Sequence, residues 1–288
     1  MAVAPPSQSS TGLLQSTMSA EHRRRCSACP SGCYHTLVGL SRSEWFADES
    51  LWKELYPFQF PASVFAAADE QVEKVIRLAG VQNGRALDLC CGPGRHTVAL
   101  ARRGFVVTAV DRTSFLLDKA RACAAEANLA VEFVQEDMRR FSRPMTFNLI
   151  LNVFTSFGYF DNKADDLKVL QLVQENLKEG GMFVLEMVSK ERLARSFEAT
   201  TSTELPNGDL LVQRHEIVDD WTRVRNRLTL IRDGRVRTFE FRHRIYSGQE
   251  VKDLLAAAGL TDARVYGDLD GHPYSSEAKR LVAVARKS

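Results

Sequence analysis

The chain has 288 residues, 44% of them hydrophobic, and a formal net charge of +2. This fits one large α/β domain with an insertion and excludes a global electrostatic pull toward nucleic acid or anionic membranes. No apolar run is long enough to span a bilayer, so no membrane partner is expected.

The first 20 residues are rich in Ser, Pro, Ala and Thr and show no periodicity. They read as a disordered stretch. We expect residues 1–40 to form a disordered N-terminal extension and residues 41–288 to form the folded domain. The extension lacks the continuous apolar core of a secretory signal. Its Arg23, Arg24 and Arg25, with few acids, faintly resemble an organelle transit peptide. Cys26, Cys29, Cys33 and His35 form a C-x2-C-x3-C-x-H cluster whose ligand types suit zinc. The ligands are crowded and lack a second half-site, so the cluster is read as a Cys-rich tail and no metal site is assigned. Cys90, Cys91 and Cys123 fall on predicted buried or helical positions, which suits a reducing cytoplasm.

Along the folded part, residues 43–59 are aromatic-rich, with Leu51, Trp52 and Leu55 at helical spacing. Residues 66–78 predict an amphipathic helix ended by Gly80. Strands and helices then alternate. Strands are predicted at 85–90, 106–110, 131–135, 147–151 and 182–187. Helices are predicted at 97–103, 114–127 and 164–177. Short apolar strands alternating with helices define a mostly parallel sheet covered on both faces.

The pattern changes after Glu198. Residues 210–218, 223–231 and 235–246 alternate with period two, and Asp233-Gly234 is a hairpin signal. This predicts an antiparallel β-meander inserted at about 198–246. Ser247-x-x-Glu250 is a capping box that opens a helix to Ala258. Two last strands are expected near 263–266 and 281–286, completing a seven-stranded Rossmann-like sheet.

The chemistry concentrates between Ala86 and Asp111. A strand runs into Asp88-Leu89-Cys90-Cys91, turns through Gly92-Pro93-Gly94 and enters a helix. Glycine permits positive φ and close approach of a ligand. The next strand ends in Asp111, an acid placed to accept hydrogen bonds from ribose hydroxyls. A dinucleotide fold wants a third glycine where Thr97 stands, and Asp88 would repel a pyrophosphate. S-adenosylmethionine (SAM) has no phosphate and carries a sulfonium and an ammonium, so acids near the turn suit it.

These residues resemble the nucleotide-binding signature of class I SAM-dependent methyltransferases. Glu136-Asp137-Met138, the segment from Asn152 to Tyr159, and Lys178-Glu179-Gly180-Gly181 continue the match. It covers about residues 66–188 and 247 to the end. The resemblance implies that Gly92 and Gly94 border the methionine portion of SAM, with Arg95 near its carboxylate. It places Asp111 on the ribose, Arg112, Asp137 and Met138 around the adenine, and the backbone around Asn152 at the methionine or sulfonium end, and it counts Asp88, just before the turn, among the cofactor-binding residues. His96 departs from the family, where a third glycine is common.

The aromatics Trp52, Tyr56, Phe157 and Tyr159 are expected to bound the acceptor pocket. In the last meander strand, Phe239, Phe241, His243 and Ile245 share one face. His243 is then either a core histidine or a general base, with Tyr159 beside it. The many meander arginines read as a solvated sheet face or as a contact between two copies in a homodimer. The Asn-Pro-Pro-aromatic motif of DNA base amino-methylases is missing after the fourth strand, as is a nucleophilic cysteine there. DNA is therefore not expected as substrate. The expected activity is methyl transfer to O or N of a small molecule. A tRNA modified-base methyltransferase and a SAM-binding protein without transferase activity are the alternatives.

Overall fold

The computed structural model describes residues 36–37 and 44–288. In chain order, strand β1 (Thr36–Leu37) precedes a short 3-10 turn (Trp45–Ala47) and helices α1 (Glu49–Gln59), α2 (Ala62–Ala66) and α3 (Ala68–Ala79). Next come β2 (Arg85–Leu89), α4 (Arg95–Arg102), β3 (Val106–Asp111), α5 (Ser114–Glu126), β4 (Glu132–Gln135) and β5 (Phe147–Asn152). They are followed by α6 (Lys163–Asn176), β6 (Leu177–Met187) and α7 (Lys190–Arg195). Strands β7 (Thr200–Glu204), β8 (Leu210–Val218), β9 (Arg223–Arg232) and β10 (Arg235–Arg244) build the insertion. Helix α8 (Gly248–Ala257), β11 (Leu260–Tyr266) and β12 (Leu281–Lys287) end the chain.

Seven strands form one sheet in the order β11-β12-β6-β5-β2-β3-β4. β2 to β6 pair in parallel, and β12 runs antiparallel to both its neighbours. Alternate residues of the central strands feed two separate cores. Leu87, Ile150 and Phe183 pack with α6 and α8 through Val169, Val173, Val251 and Leu255. Ala86, Leu149 and Val184 pack with α3 and α4 through Val72, Ile76, Ala99 and Leu100. A strand buried on both faces reads as a continuous apolar run, which is why these strands were visible.

The second sheet has the order β1-β10-β9-β8-β7. Its meander register joins Asn226 to both His215 and Phe241. β7 was missed, because Thr-Thr-Ser-Thr-Glu offers no apolar face. β1 pairs in parallel with Arg237 and Thr238. It lies within the stretch expected to be disordered; the open edge of β10 supplies the backbone partners for it. The Cys26/Cys29/Cys33/His35 cluster lies outside the described residues.

The helix expected at 66–78 is α3, Ala68–Ala79, ended by Gly80 as expected, and the short α2 before it stops at Ala66. One boundary differs for a physical reason. The glycines at 180 and 181 do not precede a strand but form an irregularity within β6, where pairing jumps from Phe147–Leu177 to Leu149–Met182. A Cβ on Gly181 would lie 2.8 Å from the Lys178 carbonyl oxygen, so only glycine fits that bend.

Among the described residues, no helix is long and apolar enough to cross a membrane.

Candidate active site

The strand order reverses between β2 and β5, and ligands of open α/β sheets bind at that point, beyond the carboxyl ends of the strands. A cavity of about 340 Å³ lies there. Its floor comes from the glycine turn and the ends of β3 and β4. One wall is α1, another is the loop after β5, and β8–β10 form the roof.

The turn is built around Asp111. Its Oδ2 accepts the Gly92 N–H at 2.9 Å and its Oδ1 accepts the Thr113 N–H at 2.9 Å. Burial raises the Asp111 pKa, and these backbone donors oppose the rise. Cys90, Gly92 and Gly94 all have positive φ, which turns the chain sharply into α4. Asp88 is buried behind the turn and accepts the Thr97 hydroxyl at 2.6 Å. Burial pushes its pKa up to about 6, against the Thr97 bond.

Arg95 and His96 share one partner. Arg95 Nη1 donates to Gln71 Oε1 at 2.6 Å and to the Val64 carbonyl at 3.1 Å. His96 Nε2 lies 2.9 Å from the same Gln71 oxygen. Burial, and then the charge of Arg95, hold His96 well below its usual pKa. The Arg95 guanidinium sits 4.3 Å above the Phe154 ring.

Phe154 and Thr155 both have positive φ. This is a rare conformation for two consecutive side-chain-bearing residues and concentrates strain beside the site. Glu186 holds it. Its Oε2 accepts the Phe154 N–H at 2.6 Å and its backbone oxygen accepts the Thr155 N–H at 3.1 Å. Arg280 pairs with Glu186 and donates to the Thr155 hydroxyl at 2.7 Å.

At the end of β4, Asp137 is gripped by two arginines. Arg112 Nη1 reaches it at 2.8 Å and Arg139 Nη2 at 2.7 Å. Both arginines also bind Glu44, at 2.6 and 2.7 Å. Burial alone would raise the Asp137 pKa; the bonds and charge of Arg139, with the charge of Arg112, bring it below the usual carboxylate value. The network ties the β4 end to the segment that begins α1.

The roof and α1 supply aromatic surface. Trp45 stacks on Phe241 with ring centres 4.0 Å apart and tilts against Tyr159 at 4.6 Å. The rings of Tyr159 and His243 meet edge-on at 6.4 Å. Burial raises the Tyr159 pKa and, with help from His215, lowers that of His243 to about 4.

Gly92, Arg95, Asp111, Arg112, Asp137 and Met138 thus lie on the cavity wall, together with Trp52, Tyr159 and His243. Asp88, Gly94 and Asn152 lie behind it. A Cβ on Gly94 would meet the Ala120 Cβ at 2.7 Å, so this glycine serves the close passage of α5. Asn152 turns inward, and its Nδ2 donates to the Leu89 carbonyl at 3.2 Å. Tyr56 and Phe157, expected to bound the pocket, do not line it. In α1 the cavity-facing positions are Leu51, Trp52, Leu55 and Gln59. Tyr56 sits beside that stripe and packs edge-on against Phe115 of α5. Phe157 is directed into the core against Tyr246 by the left-handed turn before it.

Gln213 and Asn226 were not anticipated, yet both line the roof. A signal existed in β9, where Asn226 interrupts the apolar alternation of the buried Val224, Leu228 and Leu230; in β8, Gln213 and His215 follow the buried Leu211 on the same face.

The residues fit SAM. Asp111 keeps further oxygen lone pairs at the wall beside an open Gly92 backbone, and Glu136 and Asp137 line the same end. That donor and acceptor set suits a nucleoside carrying positive charge and disfavours a pyrophosphate.

Residues 86–181 match the family described as "Methyltransferase domain". A protein of Geobacillus sp. (strain WCH70), named as a methyltransferase, is 26% identical over 230 residues, covering 75% of this chain and 90% of its own. The chain is similar to a SAM-dependent methyltransferase from Clostridium acetobutylicum ATCC 824, with a TM-score of 0.67, 18% identity, and coverage of 82% of this chain and 96% of that one. It is also similar to an amino pentose methyltransferase from Micromonospora echinaspora solved with SAM bound. There the TM-score is 0.62 at 21% identity, covering 83% and 97%. Residues 86–181 thus form a methyltransferase domain on a Rossmann-like sheet, with the cavity at the point where the strand order reverses.

Proposed function

We propose that the chain transfers the methyl group of SAM to O or N of a small-molecule acceptor held beneath the β8–β10 roof. The observation that carries this reading is the cavity's division. One end is lined by Asp111, Glu136 and Asp137. The other is lined by Trp45, Trp52, Tyr159 and Phe241, with Gln213, Asn226 and His243 as uncharged polar groups. A lobe this aromatic favours flat or apolar ligands and excludes water.

In this reading Asp111 takes the ribose hydroxyls, Met138 and Asp137 flank the adenine with Arg112, and Arg95 faces the methionine carboxylate. Bound SAM supplies a methyl on a cationic sulfur. The chain's task is then to align a nucleophile in near-attack geometry. Tyr159 and His243 are the polar groups that meet the acceptor.

A tRNA substrate would need the meander's arginines free. Arg223 pairs with Asp161, Arg225 with Glu216, Arg242 reaches Asp219, and Arg244 approaches Asp166. This leaves the outward face largely self-neutralised, whether it meets solvent or a second copy. Cys90, Cys91 and Cys123 are free thiols, which fits a reducing cytoplasm.

The test is release of S-adenosylhomocysteine with a panel of small amines, phenols and alcohols, beside calorimetry with SAM and NAD. Turnover of at least one small acceptor and tighter binding of SAM are expected. Tighter binding of NAD, or turnover with tRNA alone, would overturn the reading.

A further inference from the structure

The polar groups of the roof form one line across three strands. Asn226 of β9 lies between His215 of β8 and His243 of β10. Its Oδ1 is 2.8 Å from His215 Nδ1 and its Nδ2 is 3.0 Å from His243 Nδ1. Register explains the alignment. Asn226 pairs with His215 on one side and Phe241 on the other, and His243 stands two residues further on the same face. Asn226 is only 5% exposed, between the buried Val224 and Leu228. A polar residue there is costly unless its bonds are made.

A primary amide has one accepting end and one donating end. When it bridges the Nδ1 atoms of two imidazoles, its oxygen end needs an Nδ1–H on one ring and its NH2 end needs a bare Nδ1 on the other. Resting on the acceptor reading above, we propose that Asn226 is a positioning residue that locks His215 and His243 in opposite tautomers, so that His243 presents an Nε2–H to the methyl acceptor. In the observed orientation the His215 Nδ1–H donates to Asn226 Oδ1, and the Asn226 Nδ2–H donates to His243 Nδ1. Among the described residues, no protein group bonds His243 Nε2, and His243 lines the cavity. Burial keeps the ring neutral at physiological pH.

The consequence is chemical. A neutral ring whose Nδ1 is occupied and whose Nε2 bears hydrogen takes no proton from a nucleophile. The favoured acceptor therefore arrives with its lone pair free, as an uncharged amine, and carries an oxygen nearby that accepts the His243 N–H. The amine lone pair forms the new N–C bond while the old S–C pair leaves on sulfur. The extra proton departs from nitrogen to water after release. A phenol, which must shed its proton to attack, finds no base here.

The full chain labelled with 15N-histidine tests this by long-range 1H–15N correlation at neutral pH, with His215→Gln and His243→Gln assigning the signals. Protonated Nε2 on His243 and protonated Nδ1 on His215 are expected. Asn226→Asp offers a carboxylate that accepts from both rings, so His243 should switch to Nδ1–H and expose an Nε2 lone pair. In turnover, the amine-to-phenol ratio should then fall by at least about tenfold. Circular dichroism and SAM calorimetry on the same variant confirm that it folds and binds. Identical tautomers on the two rings, Nδ1–H on wild-type His243, or an unchanged tautomer in Asn226→Asp would overturn the lock. An unchanged amine-to-phenol ratio after a confirmed switch would overturn the acceptor preference. The tautomer reading needs no acceptor, so a failure of the methyl-transfer reading is scored separately.

Discussion

Thr97 donates its hydroxyl to Asp88 at 2.6 Å, inside the protein and behind the glycine turn. The position that a dinucleotide fold gives to a third glycine is thus used here to hold a buried carboxylate.

That carboxylate makes stability depend on pH. The Asp88 pKa is raised to about 6 by burial, so the folded state favours the protonated acid. Its contribution is fully present below the ordinary value of 3.8 and is lost as pH rises through about 6. Relative to wild type, Asp88→Asn should gain about 1–3 kcal/mol between acid and neutral pH. Thermal melts of both proteins across that window check it. Asp166, also raised to about 6, is common to both and drops out of the difference. Parallel melting curves would contradict the assignment.

Asp111→Ala should weaken SAM binding by about 1.5–3 kcal/mol, because it removes a charged acceptor and releases the Gly92 and Thr113 N–H groups. Calorimetry on the folded variant measures this. Normal affinity would show that the ribose is held elsewhere.

Gly94→Ala should cost about 2–4 kcal/mol, since a Cβ there strikes the Ala120 Cβ and Cα and the backbone has φ +83°. Gly208→Ala is the control. It has a similar φ of +85° but nothing within 4 Å, and should cost about 1 kcal/mol. Equal denaturation midpoints for the two variants would show that helix α5 does not press on the turn.

Tyr246→Phe should destabilise by about 1.5–3 kcal/mol while leaving SAM affinity unchanged. Tyr246 donates to Asp166 at 2.6 Å in the core, and the other Asp166 oxygen has no partner. Urea unfolding and calorimetry together separate the two effects.

The strands at 85–90, 106–110 and 147–151 were legible because burial on both faces leaves continuous apolar runs. Asp111 and the Gly92 turn were legible as cavity-lining residues because an acid and a glycine stand at fixed strand ends. Tyr56 and Phe157 were misplaced because composition does not say which side of a helix or loop faces inward. For Tyr56 one helical step decides, and for Phe157 the left-handed pair Phe154-Thr155 decides. Gln213 and Asn226 were passed over because a polar residue in a strand reads as outward until the register of its neighbours is known. Glu44 pairs with Arg112 and Arg139 across 68 and 95 residues, and no local pattern announces such a contact.

The roof is a sheet, and its inward side chains stand at every second position. Gln213, Asn226, Phe241 and His243 reach the cavity from the meander, whereas Gly92 and Asp111 reach it from the α/β sheet. In the function proposed above, acceptor choice and cofactor binding are therefore carried by different sheets. A library confined to these four codons would explore new acceptors on an unchanged catalytic chassis.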